Sequence, residues 1–340
     1  MMYSLSQESF HQLREFIFTK CGLEFPEGKK YLLESRLSLR LTATHCRTFE
    51  DYYNFLRFDP GRESELRELF NCVTTNETFF FRDTTQIDCF RHVILPQVMK
   101  DREATRKIRI WSAGCSSGEE PFTLAIVVVE EFPALATWDV QILATDLSEQ
   151  ALEDGRRGVY GPYALRHVPP AYLKKYFTGS DGQYTIGPVL RKMVKFSPLN
   201  LVDSVRMRAI RDMDVVFCRN VLIYFDQETR KKIITHFYDA LRDQGMFVIG
   251  FSESLNGINR LFRPAPWNKT IFYYKVGNSV AARSVPSVMR GLRGMDGQPI
   301  DQAAPNSGRL QSFTSSVASH VGPVGESVLS GRSWESRGES

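Results

Sequence analysis

The stretch Arg109-Ile110-Trp111-Ser112-Ala113-Gly114-Cys115-Ser116-Ser117-Gly118-Glu119-Glu120-Pro121 constrains the fold more than any other part of the chain. An apolar strand runs there into a turn of small residues and then into a helix. Small side chains let the backbone approach a ligand closely, and the amides of a helix starting at that point face the crevice at the strand's carboxyl end. About 25 residues further on, a Rossmann-like spacing, comes a second strand, Val140-Gln141-Ile142-Leu143-Ala144-Thr145-Asp146. An acid at that strand end can accept hydrogen bonds from ribose hydroxyls. The pattern reads as a nucleotide-type cofactor site, or as an ordinary strand-turn-helix without a ligand.

The glycines alone discriminate poorly. Gly114 and Gly118 do not make the dinucleotide G-x-G-x-x-G, and no lysine supplies a phosphate-binding loop. Glu119 and Glu120 would repel pyrophosphate but suit the cationic end of S-adenosylmethionine (SAM), with its sulfonium and ammonium. At 340 residues the chain is long enough for two domains, and its net charge of +4 is too mild to imply bulk attraction to DNA. Six scattered cysteines (Cys21, Cys46, Cys72, Cys89, Cys115, Cys218) form no C-x-x-C pair and have no histidine at metal-ligand spacing, so reduced thiols and no metal are expected. No apolar run approaches the roughly 20 residues that span a bilayer, and no export signal is visible. The expectation is a cytoplasmic protein without a membrane-inserted segment.

Residues 1–88 read as a helical N-terminal domain, with apolar positions at Phe10, Leu13, Phe16 and Ile17 and a periodic run from Tyr31 to Leu41. Lys29, Arg36, Arg40 and Arg47 recur at spacings of seven, four and seven, so a continuous helix would put them on one face. That face is either solvated or a dock for an acidic partner. In Asn76-Glu77-Thr78-Phe79-Phe80-Phe81-Arg82-Asp83, Asp83 with Gln86 three residues later resembles a capping box. The segment is either a buried aromatic linker or an aromatic anchor from which Asn76, Thr78 and Arg82 reach a ligand. Residues 89–275 alternate strands and helices, which predicts a mostly parallel sheet. Strands are expected at Met193 to Phe196, Asp214 to Cys218, Met246 to Gly250 and Ile271 to Lys275, with an amphipathic helix from Gln227 to Leu241. Between about 155 and 190 the helical signal fades, and a small inserted antiparallel β-subdomain is expected. Residues 276–340 shift to Ser, Gly, Pro, Ala and Arg, and read as a disordered tail.

Taken together these pieces resemble the chemotaxis receptor methyltransferase family, CheR, from about residue 5 to 275. Four segments carry the likeness, in the family's order: Asn76-Glu77-Thr78 with Phe80-Phe81-Arg82, Trp111 to Pro121, Phe196-Ser197-Pro198-Leu199-Asn200-Leu201, and Phe217-Cys218-Arg219-Asn220-Val221-Leu222-Ile223-Tyr224-Phe225. The resemblance implies an α/β fold, a Rossmann-like SAM-dependent methyltransferase domain with a helical N-terminal domain and the inserted β-subdomain. It also implies a protein-glutamate O-methyltransferase that converts glutamate side chains of methyl-accepting chemoreceptors to methyl esters, leaving S-adenosyl-L-homocysteine. By motif, SAM contacts would come from Asn76, Thr78, Arg82, Glu119, Asp146, Asn200, Leu201, Arg219 and Asn220, with Arg82 and Tyr224 nearest the transferred methyl. The implied partner is the cytoplasmic helical region of chemoreceptors, met by a monomer through Lys29, Arg36, Arg40 and Arg47, with no nucleic acid and no membrane insertion. The short turn at Ser180-Asp181-Gly182 argues against the added receptor-tail strand of some members. Phe251 stands where members often have His, a change neutral for chemistry that alters the pocket wall.

A glutamate carboxylate is already ionised at neutral pH, so its attack on a sulfonium methyl needs no general base. Absence of a catalytic His or Cys is then expected, and positioning with partial desolvation is what such an enzyme must supply. Arg82 can hold the carboxylate or the cofactor by charge-assisted hydrogen bonds, and Tyr224 can orient either. Two rivals stand beside this reading: a methyltransferase for nucleic acid or a small molecule, and a silent SAM-sensing scaffold. The chain lacks an Asn-Pro-Pro-Tyr type motif for a flipped base.

Overall fold

The computed structural model describes residues 3–258 and 261–276, so the expected disordered tail lies outside the described residues. The N-terminal part is four helices, α1 (Gln7–Cys21), α2 (Lys30–Ala43), α3 (Phe49–Phe58) and α4 (Arg62–Val73). Local chemistry sets their ends. The Ser6 hydroxyl caps α1, left-handed Gly22 closes it, and Thr48 with Asp51 forms a capping box on α3. Phe10, Leu13 and Ile17 of α1 and Leu33, Leu37 and Leu41 of α2 are buried, as their spacing predicts.

The stripe that buries those leucines also carries two of the basic residues. Arg36 and Arg40 recur at the same spacing of four, and both turn onto α4. Arg40 binds the buried Glu65 carboxylate through Nε at 2.9 Å and Nη2 at 2.5 Å, and the Tyr52 hydroxyl donates to Glu65 at 2.7 Å. Arg36 donates to the Val73 carbonyl at 2.5 Å and the Thr75 hydroxyl at 2.8 Å. Lys29 precedes α2 and Arg47 follows it. This corrects the expectation of four cations on one free helix face: only Lys29 and Arg47 are exposed.

Among the described residues the strands are β1 (Lys107–Ala113), β2 (Asp139–Asp146), β3 (Val159–Tyr160), β4 (Phe177–Ser180), β5 (Gln183–Ile186), β6 (Val194–Pro198), β7 (Met213–Cys218), β8 (Leu241–Ile249), β9 (Phe262–Trp267) and β10 (Thr270–Lys275). Seven make the main sheet, in the order β6-β2-β1-β7-β8-β10-β9. The first five are parallel, while β10 pairs antiparallel with both β8 and β9. Alternate residues feed two apolar clusters on opposite faces. Ile108 and Ile110 of β1, with Val215 and Phe217 of β7, pack with the helix Glu119–Glu131. Trp111 and Ala113, with Val216 and Cys218, join Phe237 and the N-terminal helices in the other cluster. The segment 84–101, which the sequence reading divides at residue 88, is a continuous helical run. Ile87, Phe90, Ile94 and Val98 pack in the sheet's first cluster, so a boundary there would cut an element.

Two features depart from the pattern read in the sequence. Strand β9 is not among the strands read from the sequence; it lies at the sheet edge, where its two prolines cost no ladder bond. The inserted unit holds the expected small sheet, ordered β3-β5-β4, with Asp181 and Gly182 both left-handed in its two-residue turn. Between its strands and after them run short helices at Pro162–Leu165, Pro170–Tyr176 and Pro188–Met193. Each starts on a proline, a residue suited to the first helical position.

Removing Arg40 would leave the Glu65 carboxylate, 6% exposed, without its charge partner. Arg40→Ala is expected to lower stability by about 3–5 kcal/mol in urea unfolding, and Arg40→Lys by less. Equal stability of Arg40→Ala and the parent would show that the pair is not a structural tie.

Candidate functional site

The strand order reverses between β1 and β7, and a cavity of about 340 Å³ opens at their carboxyl ends. Its wall comes from the turn after β1, the end of β2, the loop after β7, the segment 73–79 and residues 21–25 after α1. The turn is shaped for close approach. Gly114 is left-handed, and a Cβ there would meet Val221 Cγ2 at 2.4 Å. Its amide and that of Cys115 donate to the Thr145 carbonyl at 2.7 and 2.9 Å, which joins the first turn to the end of β2.

Asp146 ends β2 on the cavity wall, as its position in the sequence predicts. Its carboxylate accepts the Ser116 amide at 2.8 Å and the Ser148 amide at 2.9 Å, while burial raises its pKa against those bonds. Each oxygen keeps capacity for a further donor, such as a ribose hydroxyl. Asn76, Thr78, Arg82, Asn200, Leu201, Arg219, Asn220 and Tyr224 also line the cavity, together with Lys29 and Arg36. Arg40 and Arg47 do not.

Glu119 is the cofactor-site expectation that the structure corrects. It is buried at 4% exposure, its carboxylate accepts the Ser117 hydroxyl at 3.0 and 2.9 Å, and it stays off the cavity wall. Glu120, one helical step round, lines the cavity and binds Ser112 Oγ at 2.7 Å and Arg219 Nη1 at 3.1 Å. Phe251 is 52% exposed and also off the wall, so the expected change in pocket shape is absent.

Arg219 is buried and engages most of its donors internally. Nε reaches Gln86 Oε1 at 2.5 Å, and Nη2 reaches the Arg82 carbonyl at 2.7 Å and Asp83 Oδ2 at 2.9 Å. These contacts replace the expected capping box. Asp83 is left-handed and caps nothing with its side chain, because both Asp83 and Gln86 turn to the guanidinium. Gln86 Nε2 also donates to the Ile249 carbonyl at 2.6 Å.

Sequence reasoning missed Glu253, which lies three residues after Gly250. Its largely buried carboxylate accepts four amides: Gly250 at 2.6 Å, Asn220 at 2.9 Å, Val221 at 3.1 Å and Ile223 at 3.3 Å. Burial pushes its pKa up and these amides oppose the rise. A Cβ at residue 250 would fall 2.7 Å from that carboxylate and 2.8 Å from the Asn220 amide, so the glycine is what admits it. The clamp holds Asn220 left-handed at φ 58° and sets the short turn Leu222–Tyr224. Gly250 before an acid was the available signal.

The donor set fits SAM on one direct observation: the buried Asn220 Oδ1 on this wall has no hydrogen-bond partner in the structure. A lone buried acceptor invites a donor such as an ammonium. With Asp146 for hydroxyls, the wall supplies acceptors for both polar ends of that molecule. A largely parallel sheet with a switch-point cavity whose wall carries these acceptors fits the class of SAM-dependent methyltransferases.

The comparisons agree on the class and narrow it. Residues 8–74 match the all-alpha domain of CheR methyltransferase, and residues 76–271 match its SAM-binding domain. A relative from Borreliella burgdorferi, chemotaxis protein methyltransferase, is 36% identical over 273 residues, covering 78% of this chain and 95% of that protein. Chemotaxis protein methyltransferase 2 of Vibrio cholerae is 34% identical over 272 residues, covering 80% and 94%. The chain belongs to the CheR methyltransferase family, and SAM is its cofactor.

Burial pushes the Glu119 carboxyl up to about 7 from an ordinary 4.5. The native state therefore keeps a proton that the unfolded chain gives up above 4.5. Glu119's contribution to stability is fully present below that pH, is lost as pH rises to about 7 and stays lost beyond, by about 3 kcal/mol in all. Glu119→Gln should lack this decline. Urea unfolding of both proteins from acid to about pH 8 measures it, and parallel curves would refute the shift.

Proposed function

We propose that this protein transfers the methyl of SAM to glutamate side chains in the cytoplasmic helical region of chemoreceptors, forming glutamyl methyl esters in chemotaxis-type adaptation. One observation carries the reading. The cavity wall offers the Arg82 guanidinium and the Tyr224 phenol, neither with a carboxylate partner among the described residues, and its lining includes no histidine. The two thiols on that wall, Cys21 and Cys115, are pushed up by burial and are not thiolates at neutral pH. Such a wall suits an acceptor that arrives already anionic. The names of the relatives point to chemotaxis.

When bound, SAM supplies a sulfonium methyl that leaves with the C–S electron pair remaining on sulfur. Arg82, its Nη1 tied to the Glu77 carbonyl at 3.0 Å, orients the incoming carboxylate so that one oxygen faces that carbon. Tyr224 is held by its own carbonyl, which accepts the Glu24 amide at 3.0 Å, and aligns the second oxygen. Asn220 and Asp146 hold the cofactor's polar ends. No proton is moved, so no base is needed. Lys29 and Arg47 remain as exposed cations for an acidic helix.

Transfer of labelled methyl to chemoreceptor cytoplasmic domains, followed by mild alkaline wash, tests the reading. Base-labile label is expected; base-stable label would assign a nitrogen acceptor, and no label despite SAM binding would favour a silent scaffold. Arg82→Ala should cut kcat by about a hundredfold or more while SAM still binds. Asn220→Ala should instead weaken SAM affinity about tenfold in calorimetric titration. Unchanged turnover in the first variant would remove Arg82 from the chemistry.

A further inference from the structure

The rim of the cavity carries a cationic cluster that extends beyond the cofactor wall. Phe79 lines the cavity beside Arg82, and its ring is a platform for two guanidinium groups. Arg166 Cζ stands 3.5 Å from the ring centroid and Arg82 Cζ 5.6 Å from it. Arg166 also lies 3.8 Å from the Tyr163 ring centroid, so two aromatic rings pin its planar head. It donates one hydrogen bond, from Nη1 to the Tyr163 carbonyl at 2.5 Å. Its remaining N–H groups are free to face solvent.

The segment that presents it is fastened to the cavity wall. The Phe80 amide donates to the Ala164 carbonyl at 3.0 Å, and the Tyr163 hydroxyl donates to Glu77 Oε1 at 3.1 Å. Glu77, an acid on this stretch of the rim, is thus engaged by Tyr163. Elsewhere Arg91, Arg102, Arg109, Arg219 and Arg242 each meet a carboxylate. Arg166 is exposed and meets none among the described residues.

A guanidinium held flat by aromatic rings has lost most of its freedom before any ligand arrives, and its fork matches a carboxylate in two-point geometry. We propose that Arg166 reads a second carboxylate on the acceptor protein, one helical turn from the glutamate held at Arg82. Because both cations share one ring, they suit acids at i and i+3 or i+4 of a helix, whose Cβ atoms are about 5–6 Å apart. Arg166 lies off the cavity wall that Arg82 lines, so it selects the acceptor and does not touch the transferred methyl. The proposal rests on the glutamate-acceptor reading above and names what must surround that glutamate.

The experiment compares methyl transfer to two helical chemoreceptor fragments that differ only in Glu or Gln one turn from the acceptor, on either side. The wild-type protein is expected to show a KM about threefold to tenfold lower for the Glu fragment, with equal kcat. Arg166→Ala should raise the KM of the Glu fragment to that of the Gln fragment, with SAM affinity intact, and Arg166→Lys should restore part of the preference. If Arg166→Ala fails to bind SAM, Arg166→Gln, which keeps the stem without the charge, carries the same comparison. A preference that survives loss of the charge, or equal KM values in the wild type, overturns the proposal while leaving glutamate methylation in place. No transfer to either fragment overturns the acceptor reading itself, and this proposal with it.

Discussion

One buried guanidinium holds the cavity wall together. Arg219 follows the central strand β7 and meets Glu120, Asp83, Gln86 and the Arg82 carbonyl, so two separate pieces of chain converge on a single side chain. A charge at 7% exposure is tolerable only when its neighbours supply matching charge and acceptors. Those neighbours are the segment ending in Arg82 and the helix that begins at Glu119. The direction in which Arg82 leaves its backbone, and the side of the helix that Glu120 presents, both follow from satisfying Arg219. Glu253 does for the next residues what Arg219 does for the preceding segment, by gathering four amides onto one carboxylate.

The strand alternation in β1 and β7 was legible because a period of two sends successive residues to opposite faces whatever lies there. Charged residues were less so. Adjacent acids on a helix differ by about 100° in direction, and nothing in Glu119-Glu120 says which faces the crevice. Asp83 and Gln86 have the spacing of a local cap, but a guanidinium more than a hundred residues away competes for both and wins, since a charge-assisted bond outweighs a neutral one. The spacing from Arg36 to Arg40 is that of a surface stripe and of a core stripe alike, and the buried Glu65 decides between them. Proline has opposite meanings in two places, in the edge strand β9 and at the first positions of three short helices.

The cavity mixes charge in a way that bears on the reaction. Asp146 and Glu120 stand on the same wall as Arg82 and Arg219, so the wall can meet a cation with one part and an anion with another. In the proposed reaction, methyl transfer from a sulfonium to a carboxylate removes both charges, so the transition state is less polar than the bound reactants. Surroundings that solvate ions strongly would hold back such a step, while a partly dry site favours it. The arginines answer that requirement in different ways. Arg219 is neutralised before any ligand arrives and stiffens the wall, whereas Arg82 is tied to a backbone carbonyl and remains positive toward the cavity. A half-buried cation tied in this way can guide the proposed carboxylate acceptor into line without a full ion-pair network to stabilise it as an ion. Orientation without strong ground-state binding is the balance that lets positioning raise kcat as well as affinity.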